Sequence, residues 1–225
     1  MTDGDLPTKS QLDRLGSRLR NDNEPSDQDL VLLNRYREQF ALVNDSVLRT
    51  LAALTAYPVE SRHKSIPSIV AKLRRRQPAR LSAIQDIAGA RIIVPDIVDQ
   101  DELVTSIAEG FSNCIIDDKR TRPAYGYRAV HIIVSNPLPY EIQVRTSIEH
   151  AWAQLSERLA DRHGFELKYG GGPPVVREAL VAFSEFCAML ALATPSRGNV
   201  NEEAVNAVLE WSPRLPSIME ALRIE

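Results

Sequence analysis

The chain has 225 residues, 44% of them hydrophobic, a formal net charge of −3 and two cysteines. This is material for one domain, or for one domain with a helical appendix. The slight negative balance argues against a general nucleic-acid binder, although a global sum hides local clusters.

Cys114 and Cys187 make neither a zinc spacing nor a disulfide framework, which points to a reducing compartment. The opening MTDGDLPTKSQ is polar and acidic, unlike a signal peptide, and no apolar run approaches a membrane span. A cytoplasmic protein with no membrane partner is expected. Residues 1–24 read as a flexible tail. Beyond Pro25 a helical period places Leu33, Tyr36, Phe40, Val43 and Val47 on one side, with Ser26 or Asp27 as the cap and Pro58 at or past the end. Ser65 is the next N-cap, Pro67 suits an early helical position, and Ile66, Ile69, Val70 and Leu73 form the apolar stripe that Pro78 ends. AGARIIVP reads as a strand, VDQDELVTSIAEGF as a helix closed by Gly110, and SNCIID as a weak strand. After the charged loop DKRTRPAYG, the strands YRAVHIIVS and YEIQVRT are joined by NPLP as a hairpin. SIEHAWAQLSERLADRHG is a helix with Ser147 as its cap and Gly164 as its stop. The glycines of ELKYGGGPP exclude regular structure, VVREALVAFSEFCAMLALA is a long apolar helix, and NEEAVNAVLEWS and LPSIMEALRI close the chain as helices. The order predicts an α+β fold: a mixed β-sheet flanked by helices, not a doubly wound one. There is no GxxxxGK or GxGxxG loop, so a nucleotide would have to be held in another way.

Three groupings carry chemistry. Between Arg62 and Arg91 the chain places Arg62, Lys64, Lys72, Arg74, Arg75, Arg76, Arg80 and Arg91 against a single acid, Asp86. In a net-negative protein this is local charge for an anion, such as several phosphates or an RNA backbone. Asp86 stands before one buried strand and Glu141 lies within another. A carboxylate in such a place needs a cation, either a metal shared with substrate phosphates or a structural partner such as Arg91 or Arg128. In an extended segment 127–134, Tyr127 and His131 share one face, and Glu141, Gln143 and Arg145 share a face of the next strand. Together they supply a stacking ring, an amide, a cation and a carboxylate.

Taken in order, RHKSIPSIVAKLRR, DIAGARIIV, GYRAVH and EIQVRTSIEHAWAQLSE resemble the synthetase domain of the RelA/SpoT family, the (p)ppGpp synthetases, and especially its short single-domain members. The resemblance implies a nucleotidyltransferase-like synthetase domain over 25–195, with a helical extension over 196–225 and no hydrolase domain before it. It implies transfer of the β,γ-pyrophosphate of ATP to a 3′-hydroxyl with release of AMP, and Mg2+ as the cofactor. Asp86 and Glu141 match the magnesium-linked acids, with Glu141 also placed to help deprotonate the hydroxyl. Arg62, Lys64, Lys72 and Arg91 match the side that grips ATP. Tyr127 matches the tyrosine that stacks on the acceptor base, and His131, Gln143 and Arg145 match residues around the acceptor and its phosphates.

The family's KDYI…PKxNGY stretch is here IIDDKRTRPAYGY, where Asp117 and Asp118 dilute the charge and Lys119, Arg120 and Arg122 remain at shifted positions, Lys119 and Arg122 being the acceptor-side candidates. The first acceptor implied is GDP or GTP. A toxic branch of the family modifies the 3′-CCA end of tRNA, other members make adenosine alarmones, and Tyr127 would stack on adenine as well as guanine. Arg74, Arg75, Arg76 or Lys168 would meet a tRNA backbone, and a toxin would be accompanied by an antitoxin protein. The long apolar helix could serve the core or a homo-oligomer.

Overall fold

The structure is a computed structural model, and it describes residues 7–21, 24–75, 80–135, 137–193 and 201–222. In chain order its elements are α1 (Lys9–Asn21), α2 (Asp27–Glu38), α3 (Phe40–Leu54), β1 (Val59–His63), α4 (Ile66–Arg75), β2 (Ala88–Val94), α5 (Ile97–Gly110), β3 (Cys114–Asp118), β4 (Val130–Ser135), β5 (Pro139–Thr146), α6 (Ser147–His163), α7 (Pro174–Ala193), α8 (Glu202–Trp211) and α9 (Leu215–Leu222). The strands form one mixed five-stranded sheet in the order β1-β2-β5-β4-β3, the α+β class that the element order predicts. The chain divides into two compact units. The first gathers Met1–Arg91, Phe111–Ile115 and Ile133–Ile142, and the second Ile92–Gly110, Ile116–Ile132 and Gln143–Glu225. No helix among the described residues is long and apolar enough to cross a membrane.

In the first unit the expected tail is instead partly a helix. α1 buries Leu12, Leu15 and Leu19, and its Gly16 comes so close to the turn at Leu81 that a Cβ there would stand 2.8 Å from the Leu81 side chain. Asp13 accepts a hydrogen bond from the Ser82 amide (3.1 Å), and Arg18 grips Asp29. A helix with three buried leucines was hidden because its other faces are strongly polar. The long helical run beyond Pro25 is two helices that break at Gln39, with Ser26 capping the first through the Asp29 amide. Tyr36 and Phe40 meet edge-on across the break, their centroids 5.3 Å apart, and both are buried as the period predicts. Asn44 of α3 accepts from the hydroxyls of Ser61 (2.7 Å) and Tyr140 (2.8 Å), tying α3 to β1 and β5 through one side-chain oxygen. β1, VESRH, has no counterpart in the expected elements. It lies at the edge of the sheet with four of its five residues exposed, so it lacks the apolar alternation by which strands are read.

In the second unit α6 opens on a capping box: Thr146 accepts from the Glu149 amide, and Glu149 reaches back to the Thr146 amide. Thr146 is therefore the cap and not Ser147, whose hydroxyl donates to the Val94 carbonyl at 3.2 Å. Gly164 ends the helix at φ 107°. Trp152 donates to the Leu180 carbonyl (3.0 Å), and Trp211 stacks on Phe186 at 5.1 Å; both tryptophans are core residues. α8 and α9 both pack on α7. Tyr125 has φ 55°, and its ring fills the space that a side chain at Gly170 would need.

Because Leu15 is 1% exposed, Leu15→Ala should lower unfolding free energy by about 3 kcal/mol in urea titration. Leu42→Ala, at an 81% exposed position, should change it by less than about 0.5 kcal/mol. Equal effects would exclude α1 from the folded core.

Candidate active site

Within the first unit, Asp86 sits two residues ahead of β2 with only 12% of its side chain exposed, held between two ammonium groups. Lys64, at the end of β1, donates to Oδ2 at 2.9 Å, and Lys72 of α4 lies 2.8 Å from Oδ1. The backbone aligns the first of these, since the Lys64 amide donates to the Ile87 carbonyl (2.8 Å) beside Asp86. Burial alone would raise the Asp86 pKa, but the charges and hydrogen bonds of Lys72 and Lys64 outweigh it and bring it down to about 2. Burial lowers the Lys72 pKa, opposed by Asp86 and more weakly by Glu141. Both acids thus act on one ammonium centre, which is how the two are joined electrostatically.

Glu141 follows from the register of β5 against β2. A Cβ at Gly89 would stand 2.7 Å from the Glu141 carbonyl oxygen and 3.9 Å from its Cβ, so only glycine allows this approach of the two strands beside the carboxylate. Arg91 lies at 4.0 Å from Glu60, a long ion pair, and Arg62 is exposed on β1. Of the four expected donor-side cations, Lys64 and Lys72 converge on Asp86, while Arg62 and Arg91 are placed along the neighbouring strands. Arg74 and Arg75 end α4, exposed; Arg76 lies outside the described residues.

The second unit holds the other cluster. β4 begins at Val130, so Tyr127 and Arg128 precede it and do not continue it. Tyr127 and His131 nevertheless meet, sharing a hydrogen bond of 2.7 Å between Oη and Nε2 with their rings edge-on. Arg145 donates from Nη2 to Tyr127 Oη (2.8 Å) and to Gln143 Oε1 (3.2 Å), and its guanidinium lies 5.1 Å from the Tyr127 ring centroid. His131, Gln143 and Arg145 are all under 9% exposed. Arg145 Nε is buried without an acceptor, an unusual state for a charged donor and one that a ligand oxygen would relieve. Lys119 and Arg122 are not part of this cluster. Lys119 pairs with Asp117 and sends its amide to the Ala129 carbonyl, and Arg122 is exposed on the loop.

One network escaped the sequence reading. Arg120 pairs with Asp118 and Asp101 (both 2.7 Å) and donates to Gln100. Gln100 in turn donates to Glu149 (2.8 Å) and to the Val144 carbonyl. Burial raises the Glu149 pKa against these donors and the charges of Arg120 and Arg145. The signal was present as the Thr-x-x-Glu spacing at 146–149, which Ser147 obscured.

Asp86 and Glu141 suit Mg2+, which takes one or two carboxylates and leaves the remaining positions to water and substrate phosphates. Among the described residues no three or more His, Cys, Asp or Glu side chains form a ready-made metal cage.

The folded Asp86 pKa lies below the ordinary value of 3.8. Its stabilisation is therefore full above about pH 5 and is lost as pH falls through the folded pKa. Urea titrations of the wild type and Asp86→Asn should show a stability gap that closes by about 1 kcal/mol between pH 6 and pH 3. A gap independent of pH would mean that the two lysines do not hold Asp86 ionised.

Residues 61–162 match the family described as the region found in RelA / SpoT proteins, and these bounds contain every donor-side and acceptor-side residue named above. An uncharacterized protein of Mycobacterium tuberculosis is 40% identical over 127 residues, covering 55% of this chain and 46% of that relative, so the matched part spans less than half of its length. Among solved structures, small alarmone synthetase 1 of Bacillus subtilis bound to its product pppGpp superposes with a TM-score of 0.57 at 22% identity, over 82% of this chain and 98% of that one. Small alarmone synthetase 2 of the same organism gives 0.54 at 25% identity, over 82% and 100%. Residues 61–162 thus match the region found in RelA / SpoT proteins, and the chain has a fold similar to that of the small alarmone synthetases.

Proposed function

We propose that this chain is an ATP-dependent pyrophosphokinase that transfers the β,γ-pyrophosphate of ATP to the 3′-hydroxyl of GDP or GTP, giving (p)ppGpp and AMP. The observation that carries this is Asp86 held between Lys64 and Lys72 inside the matched region. Two ammonium groups on one carboxylate are a charge store that a triphosphate can draw upon. When it binds, Lys64 and Lys72 turn to the phosphates and Asp86 is released. Asp86 and Glu141 are then the groups that would hold Mg2+, which supplies positive charge to orient the phosphates and offset charge developing in transfer. Arg62 and Arg91 extend the cationic side along β1 and β2. On the acceptor side, Tyr127 offers its ring to the base, and Arg145 and Gln143 present donors to ribose or phosphate oxygens. Glu141 takes the proton of the attacking hydroxyl. The nucleotide-bound Bacillus subtilis enzyme on the same fold supports nucleotides as the partners.

A second acceptor is favoured by one observation. Lys119 and Arg120, the cations of the acceptor loop, are already matched to Asp117, Asp118 and Asp101. This leaves less free charge for a di- or triphosphate, and suits a 3′ end with few phosphates beside the reacting ribose, as in tRNA. An adenosine nucleotide stacks on Tyr127 equally well.

With γ-32P-labelled ATP and Mg2+, label should pass to GDP or GTP, and Glu141→Gln should reduce transfer at least a thousandfold while leaving the circular dichroism spectrum unchanged. Label on tRNA, lost when the 3′-adenosine is removed, would replace the acceptor; label on neither, or undiminished transfer by Glu141→Gln, would defeat the reading. Lys72→Met should bind Mn2+ without nucleotide several-fold more tightly than the wild type, as read by electron paramagnetic resonance, because Asp86 has lost a competing cation. Unchanged or weaker Mn2+ binding would remove Asp86 from the metal site.

A further inference from the structure

Behind the segment that carries Tyr127 lies a cavity of about 130 Å3, lined by Gly126 and Arg128 on either side of that tyrosine and by the starts of α5 and α6 and the end of α7. Its walls are mostly apolar: Ile97, Ile148, Trp152, Ala191 and Leu192. An apolar cavity of roughly 150 Å3 takes a benzene ring, so the space here suits one ring or a short acyl chain.

Its polar groups differ in what they can still do. Arg120 is matched by two carboxylates, and Glu149 is held by the Thr146 amide and Gln100. Arg128 donates to the Ser184 hydroxyl oxygen (3.2 Å) and to the Arg120 carbonyl (2.6 Å), both neutral acceptors. Among the described residues no carboxylate is ion-paired with it. A half-buried guanidinium at an apolar cavity, hydrogen-bonded to neutral groups and with no carboxylate at ion-pair distance among the described residues, can take an anion, and one on a compact apolar body would supply both the charge and the filling.

The cavity is also built in place. Gly126, at φ 87°, lies so close to the wall that a Cβ would stand 2.8 Å from the Trp152 ring and 3.1 Å from Ser184 Cβ. The Ser184 hydroxyl donates to the Gly126 carbonyl, and Trp152 is fixed by its bond to Leu180. The segment is therefore pinned against the cavity wall from behind.

We infer that this cavity is a binding site for a small organic carboxylate with an aromatic ring or short acyl chain, its carboxylate on Arg128 and its body against Trp152, Ile148 and Ala191. Its lining contains none of Tyr127, His131, Gln143 and Arg145 and none of the residues assigned to ATP, and its test needs no transfer reaction.

The chain has two tryptophans, so Trp211→Phe leaves Trp152 as the sole indole reporter in the cavity wall. Titration of that variant with sodium benzoate should give a saturable change in Trp152 emission, at least tenfold tighter than with benzyl alcohol. Adding Ala191→Phe should abolish the change by filling the cavity, and adding Arg128→Met should bring benzoate down to the level of benzyl alcohol. No saturable change with benzoate or hexanoate would overturn the site, as would an undiminished change in the Ala191→Phe background. Should Arg128→Met fail to fold, the Ala191→Phe comparison and the preference over benzyl alcohol decide between the same two outcomes.

Discussion

The pairing of Asp86 with Lys64 and Lys72 is the constraint around which the first unit is arranged. It joins the end of β1, the last turns of α4 and the entry to β2. Burial alone pushes the Asp86 carboxyl upward; with both cations it stays ionised well below neutral pH. The same two lysines are compact cations of the kind that pair with phosphates, so under the proposed function a triphosphate competes with Asp86 for them. Gly89 contributes differently, by removing a side chain so that β2 and the Glu141 backbone can approach.

The second unit is organised by a guanidinium. Arg145 ties Tyr127 to Gln143, and Tyr127 to His131 completes a small buried polar group. Next to it in sequence, Thr146 and Glu149 start α6 and connect through Gln100 to Arg120. β5 and the first turn of α6 thus deliver two successive polar networks from one short stretch, and each uses an arginine whose planar fork fixes more than one partner.

Much of this was legible in the sequence, for identifiable reasons. β2, α5, the β4–β5 hairpin, α6 and α7 have strong apolar patterns with clear stops, and the alternation of Glu141, Gln143 and Arg145 marked a polar face of β5. Three features were not legible. β1 is an exposed edge strand held by its neighbour's backbone, with little of its own to mark it. α1 hides three buried leucines among charged residues, so composition suggests a tail where packing makes a helix. The direct bridges from Lys64 and Lys72 to Asp86 depend on tertiary placement: the residues looked like two separate classes, cations for phosphates and an acid for metal, and only the fold shows them neutralising one another. Lys119 went the other way. Its charge suggested an acceptor contact, but Asp117, two residues before it, satisfies it locally.

The contact between Tyr125 and Gly170 has a consequence for how the sequence can change. Tyr125 holds a backbone angle that non-glycine residues rarely adopt, and its ring occupies the volume that any β-carbon at position 170 would claim. The two positions are therefore not independent, and the order of exchange matters. A chain that first trims the aromatic ring at 125 opens space for a side chain at 170 and retains only the backbone strain there, at φ 82°. A chain that begins at 170 meets both the collision and the strain in one step. Exchange at position 125 first is therefore the less costly order for variants of this loop.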